Sequence, residues 1–210
     1  MKQKHFIDFH KGITFLYISM LIICYNAFNN VTIWVYLGLH GTYGVLWVMK
    51  SFIFPDRSWE KKTNFLYGIT ILLGLSLYWI SPLLIVSGYF NNGDMIVAPN
   101  WLISISIFLF GVGVFLHFSS DMQKYTELRL NPGSLISQGF FKKSRNTNYF
   151  GEFLIYISFS LLAMHWIPIL VLFIFILFIW IPNMIRKDKS LSRYEKFEDY
   201  KNNSGIFFPF

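Results

Sequence analysis

Residues able to do chemistry gather in a few short stretches of this chain. SRNTNYFGE, Ser144 to Glu152, places Arg145, Asn148 and Tyr149 just ahead of a carboxylate, Glu152, inside the apolar run that follows. Asn148, Tyr149 and Glu152 share one face of a helix there. Upstream, His117 and Asp121 are spaced i, i+4, which sets an imidazole and a carboxylate on one helix face. Downstream, IRKDKSLSRYEKFEDY supplies Asp188, Lys189, Arg193 and Tyr194. Cationic donors, amides and carboxylates in this mixture suit a polar ligand carrying phosphate together with sugar or amide groups.

A second set lies in LHGTYG, where His40 and Tyr43 are i, i+3 neighbours among Gly38, Gly41 and Gly44. A buried tyrosine oriented by a histidine could donate a proton to a carbonyl. Plain interhelical hydrogen bonding would use the same pair equally well. His and carboxylate spacings never converge on three or four ligands, so no metal site is expected. The single cysteine, Cys24, excludes an internal disulfide.

The elements that must position these groups follow from composition. Of 210 residues, 54% are hydrophobic, 20% aromatic and only 14% charged, where a soluble domain carries about a quarter charged. The apolar residues fall in blocks long enough to cross a bilayer core of roughly 30 Å. The chain reads as an all-α polytopic membrane helical bundle with about six transmembrane helices: 13–28, 31–53, 65–86, 101–118, 149–164 and 166–185. HWIP between the last two predicts a tight hairpin, with Pro168 in the first turn of the new helix.

With six spans, all 18 Lys and Arg residues fall on one side and the opposite loops carry only Asp94. The positive-inside rule then puts both termini in the cytosol. The net charge of +7 becomes a property of that face, suited to anionic headgroups or a phosphate-bearing cofactor rather than nucleic acid. The first span is read as retained, because no small-residue cleavage pattern follows MKQKHFIDFHKG. No soluble appendage or protein partner is implied, so 1–210 reads as one membrane domain.

Residues 111–210 resemble the C-terminal domain of the steroid 5-alpha-reductase family. The features that match are the Asp after the fourth span, NPG before GFF, NYFGE, and FEDY ten residues ahead of a terminal FPF. The SRNTNYFGE and SRYEKFEDYKNNSG pieces look closest to its small bacterial-type relatives of unassigned substrate. The resemblance implies that 101–210 holds NADPH from the cytosolic side and that 1–100 forms the substrate side. The activity implied is reduction of a carbon–carbon double bond in a lipid-like substrate, in a bacterial inner membrane or an endoplasmic reticulum.

Carried over residue by residue, Asp121, Asn148 and Glu152 match cofactor-contacting positions, while His117 stands where an asparagine is usual. Asp188 with Arg193–Tyr194 resembles the Asp and "KY" pair of the related sterol reductases. Lys189 and Arg193 fall where steroid reductases place histidine and tyrosine. Isoprenylcysteine carboxyl and phospholipid methyltransferases, which bind S-adenosylmethionine, are the alternative resemblance. Their "RHPxYxG" loop is here RNTNYFG, and their later Glu–Glu pair is missing.

Each residue also has a plain use. Glu152 could snorkel to the interface, His117 and Asp121 could cap a helix end, and the Tyr194–Tyr200 stripe could be an interfacial helix face. Lys142, Lys143, Arg186 and Lys187 read first as topological anchors. A membrane protein that only binds lipid would make every polar cluster structural.

Overall fold

The computed structural model describes residues 1–208. Pro209 and Phe210, which close the FPF motif, lie outside the described residues. The protein is a polytopic helical bundle. Helices run over Gln3–Cys24 (α1), Val31–Ile53 (α2), Phe65–Ser87 (α3), Asn100–Leu130 (α4), Thr147–Leu162 (α5), Trp166–Leu191 (α6) and Phe197–Asn202 (α7). Among the described residues there is no strand, only two isolated bridges, Lys2 with Lys62 and Ser144 with Gly205. Among the described residues five helices, α1 to α4 and α6, are long and apolar enough to cross a membrane. The expected fifth span is α5, whose 16 residues make a rod of about 24 Å.

Helix ends depart from expectation for identifiable reasons. α1 starts ten residues earlier than its apolar run, because the 59–63 loop accepts its first backbone donors. Gln3 N donates to Lys61 O and Lys4 N to Trp59 O, each at 3.0 Å, satisfying N–H groups that a helix start leaves open. Asp8, His10 and Lys11 therefore sit inside a helix and not in a cytosolic tail. α1 stops at Cys24, two residues before Asn26 turns to a φ of +52°, a conformation asparagine tolerates. Asn30 caps α2 by accepting from Thr32 N and Ile33 N.

α4 continues twelve residues beyond its expected end at 118. This corrects the reading of His117 and Asp121 as helix-end caps, since both lie in the helix interior. α2 and α6 each widen into a π segment, at Leu37–Gly41 and Ile176–Trp180. The second precedes Pro182, whose missing N–H disturbs the regular ladder. The tail forms only the short α7, and Tyr194 lies outside it. Phe197 and Tyr200 are buried, so they do not form the expected interfacial stripe.

Two compact units emerge: Met1–Phe110 with Tyr156–Leu172, and Gly111–Ile155 with Phe173–Phe210. In the first, α1 packs on α2 and α3. Gly44 is required there, because a Cβ would strike the Lys11 carbonyl. The core of this unit includes Ile18, Ile22, Ile33, Tyr36, Tyr43 and Ile85. Phe52, Leu66 and Phe108 are largely exposed, an apolar surface that belongs against lipid.

Candidate functional site

In the second unit α4 and α5 touch at glycines. A Cβ on Gly151 would come within 2.8 Å of Gly113 O and 2.9 Å of His117 Cα, so no larger residue fits. This close approach brings His117 Nδ1 to 3.0 Å from the Asn148 carbonyl oxygen. A carbonyl only accepts, so Nδ1 carries the hydrogen and Nε2 is the variable nitrogen. Nε2 stands 3.9 Å from Asp121 Oδ2, an ion pair whenever the imidazole is protonated, and both residues are buried.

Asn148 Oδ1 is buried without a hydrogen-bond partner. Glu152 lies one turn further along α5 and is half-buried. The ring of Tyr149 lies 5.5 Å from that of Trp180. His117, Asp121 and Asn148 are thus brought together, with Glu152 following on the same helix. The set is rich in acceptors, and it fits the N–H and O–H donors of a carboxamide or sugar.

Arg145 is placed differently from expectation. Its guanidinium forks onto Asp188, with Nε at 3.1 Å from both carboxylate oxygens and Nη2 at 2.9 Å from Oδ2. Nη1 donates to the Ser204 and Lys201 carbonyls and to Ser204 Oγ at 3.1 Å. Every nitrogen of a 5%-exposed side chain is thereby spent on protein. In place of the expected phosphate contact, Arg145 fastens the tail to the loop before α5, and Asp188 is its counterion.

Neighbouring groups reinforce this clasp. Lys187 donates to Arg145 O and Asn146 Oδ1, while Asn146 Nδ2 donates to Ile206 O at 2.7 Å. Tyr200 Oη donates to Phe141 O at 2.6 Å, and burial pushes that phenol up to about 12. Lys189 and Arg193 are exposed, with Arg193 folded onto Ser190 Oγ and Tyr194 Oη.

In the first unit His40 and Tyr43 are both buried, but the tyrosine that meets His40 is Tyr36. Its Oη lies 3.1 Å from His40 Nδ1, and the imidazole stacks on Phe159 at 4.4 Å. The π segment holds His40, and such wide turns recur at functional positions. Tyr43 instead faces a buried cation. Lys11 Nζ sits 4.2 Å from the Tyr43 ring centre and 4.9 Å from those of Trp47 and Tyr156, and donates to Tyr156 Oη.

A narrow cleft adjoins Tyr36, Tyr78, Ser81, Tyr156 and Phe159. Tyr36, Lys11 and Tyr156 were missed by sequence reasoning. Tyr36 could have been found from its i, i+4 spacing to His40. Lys11 needed the true start of α1. Among the described residues no three His, Cys, Asp or Glu side chains converge as for a metal ion.

Residues 52–204 match the sequence model of a family described as a protein of unknown function, DUF1295, and the chain belongs to that family. No curated protein and no solved structure matches the chain.

Proposed function

We propose that the protein is a membrane-embedded, NADPH-dependent reductase of a carbon–carbon double bond in a lipid or steroid-like enone. The resemblance of 111–210 to the steroid 5-alpha-reductase C-terminal domain supports this reading. The observation that carries it is the open Asn148 Oδ1 beside His117 and Asp121, with Glu152 one turn on. A buried amide oxygen without a donor is costly, and the carboxamide or ribose hydroxyls of a nicotinamide nucleotide would satisfy it. His117, its Nδ1 committed to Asn148 O, holds its ring fixed and offers only Nε2 to change.

When bound, the nucleotide would supply hydride to the beta carbon of the enone. The protein's part is to polarise the carbonyl and deliver a proton. Tyr36 and His40 form the hydrogen-bonded phenol–imidazole pair suited to that, and Tyr43 with its neighbour Tyr156 walls the same core. All basic loops would face the cytosol, of a bacterial cell or on an endoplasmic reticulum.

One observation favours the S-adenosylmethionine-dependent methyltransferase reading. Arg145 and Lys187 are consumed within the protein, which removes two cations that a pyrophosphate would have used. An acceptor-rich pocket suits a sulfonium. Calorimetric titration of detergent-solubilised protein with NADPH and with S-adenosylmethionine separates the two. NADPH binding that weakens in Glu152→Gln supports the reductase. Binding of S-adenosylmethionine alone overturns it, and binding of neither leaves a lipid-binding protein without this chemistry.

A further inference from the structure

The start of α1 and the end of α2 border a small, partly open cleft in the first unit. Its lining carries both signs of charge. Lys4 and Asp8 lie one turn apart on α1, Trp47, Lys50 and Ser51 come from α2, and the following loop adds Asp56 and Trp59. The cleft's free space takes about one water-sized group, room for an ammonium at the tip of a headgroup rather than for a whole lipid.

The walls are preformed. The loop is pinned to the start of α1 by Gln3 N to Lys61 O, Lys4 N to Trp59 O and Thr63 N to Met1 O. Glu60 receives both Lys2 and Lys4. Lys4 is thereby paired with Glu60, and Lys50 adds a second, buried cation, 5% exposed with its Nζ 4.7 Å above the Trp47 ring. Asp8 accepts from Ser51 Oγ at 2.7 Å through Oδ2 and also interacts with the Trp47 side chain, while its buried Oδ1 keeps an acceptor position open.

We propose that this cleft binds the headgroup of a zwitterionic phospholipid bearing a primary ammonium, of the phosphoethanolamine type. The ammonium meets Asp8 Oδ1 in a cleft also lined by Trp59, an indole of the kind that attracts cations through its ring face. The phosphate turns to Lys50. A primary ammonium is selected over a quaternary one because Asp8 Oδ1 needs an N–H donor. A purely anionic headgroup is disfavoured by Asp8 and Asp56.

The occupant is a lipid because Phe9, Phe52 and Ile53, neighbours in sequence of the lining residues, are strongly exposed and apolar. The helices here pass from an apolar surface to a charged loop, the level at which headgroups lie. This site stands independently of the proposed reaction.

The test is native mass spectrometry of the detergent-solubilised full chain. It is incubated separately with phosphatidylethanolamine, phosphatidylcholine and phosphatidylglycerol of identical acyl chains. Wild type should retain phosphatidylethanolamine at least about tenfold better than the other two. Asp8→Asn should lose that preference, about tenfold, with phosphatidylcholine retention unchanged, and Lys50→Met should weaken both phosphatidylethanolamine and phosphatidylglycerol. Equal retention of the three lipids by wild type, which requires no variant to fold, overturns the proposal. So does a preference for phosphatidylglycerol, or a folded Asp8→Asn protein with unaltered selectivity.

Discussion

Arg145 and Asp188 form a forked ion pair across 43 residues of sequence, with three donor–acceptor distances between 2.9 and 3.1 Å. The pair ties the start of α5 to the end of α6, and through Ser204 to the tail. Planar guanidinium and carboxylate match in this geometry better than any lysine could.

Removing one partner should therefore cost stability. Arg145→Met leaves Asp188 without its counterion, and losing half of a buried pair costs about 3–5 kcal/mol. The low end is expected, because the Asp188 side chain is 16% exposed. Thermal unfolding in detergent should show a clearly lowered midpoint. The double variant Arg145→Met with Asp188→Leu should recover much of the loss, which a phosphate-binding role for Arg145 would not produce.

Glu152→Gln is near-isosteric and should fold. Losing a hydrogen bond to a charged group costs about 1.5–3 kcal/mol, which is a ten- to hundredfold weakening of cofactor affinity. Titration calorimetry with NADPH measures it, and an unchanged affinity would leave Glu152 a structural residue.

Alkaline pH should loosen the tail. The Tyr200 phenol is pushed up to about 12 by burial, from an ordinary 10. Its folded value is raised, so this contribution is complete below pH 10 and is lost as pH rises towards 12. The unfolded chain ionises first. Limited proteolysis of the tail should accelerate over that window in wild type, and Tyr200→Phe should flatten the dependence.

Acid acts on the other end of the chain. Hydrogen bonds from Lys2 and then Lys4 hold the Glu60 carboxyl below its usual range. Its contribution is present above the ordinary value of 4.5 and fades as pH falls through the depressed one. Amide exchange at Gln3 and Lys4 should quicken below that range, and Glu60→Gln should abolish the pH step.

Topology is open to direct labelling. In a Cys24→Ser background, needed because Cys24 is exposed, cysteines at Asn29 or Asn92 should react from outside the cell. Cysteines at Lys61 or Lys142 should not. All four positions are exposed, so burial cannot mimic the result, and the reverse pattern would overturn cytosolic basic loops.

Local rules made much of the fold legible. Apolar runs marked the helices, and Pro168 marked the hairpin between the last two spans. What failed was set over distance. The start of α1 depends on carbonyls at 59 and 61, so Lys11 read as a tail residue. The role of Arg145 depends on Asp188 and Ser204, so a cation in a polar loop read as a phosphate ligand. His117 and Asn148 were legible as polar residues at the ends of neighbouring apolar runs, but their contact needed Gly113 and Gly151 to let two helices approach.

The π segment at Leu37–Gly41 gives α2 one place where its length can change. A wide turn holds one residue more than the regular ladder requires, so removing one of those five would leave an unbroken α-helix. Everything beyond it would keep its facing, because the wide turn has already absorbed the extra residue. Tyr43, Trp47 and Lys50 would stay turned towards α1. One residue removed from the regular turns on either side would instead rotate everything beyond it by about 100°, the angle one residue subtends in an α-helix.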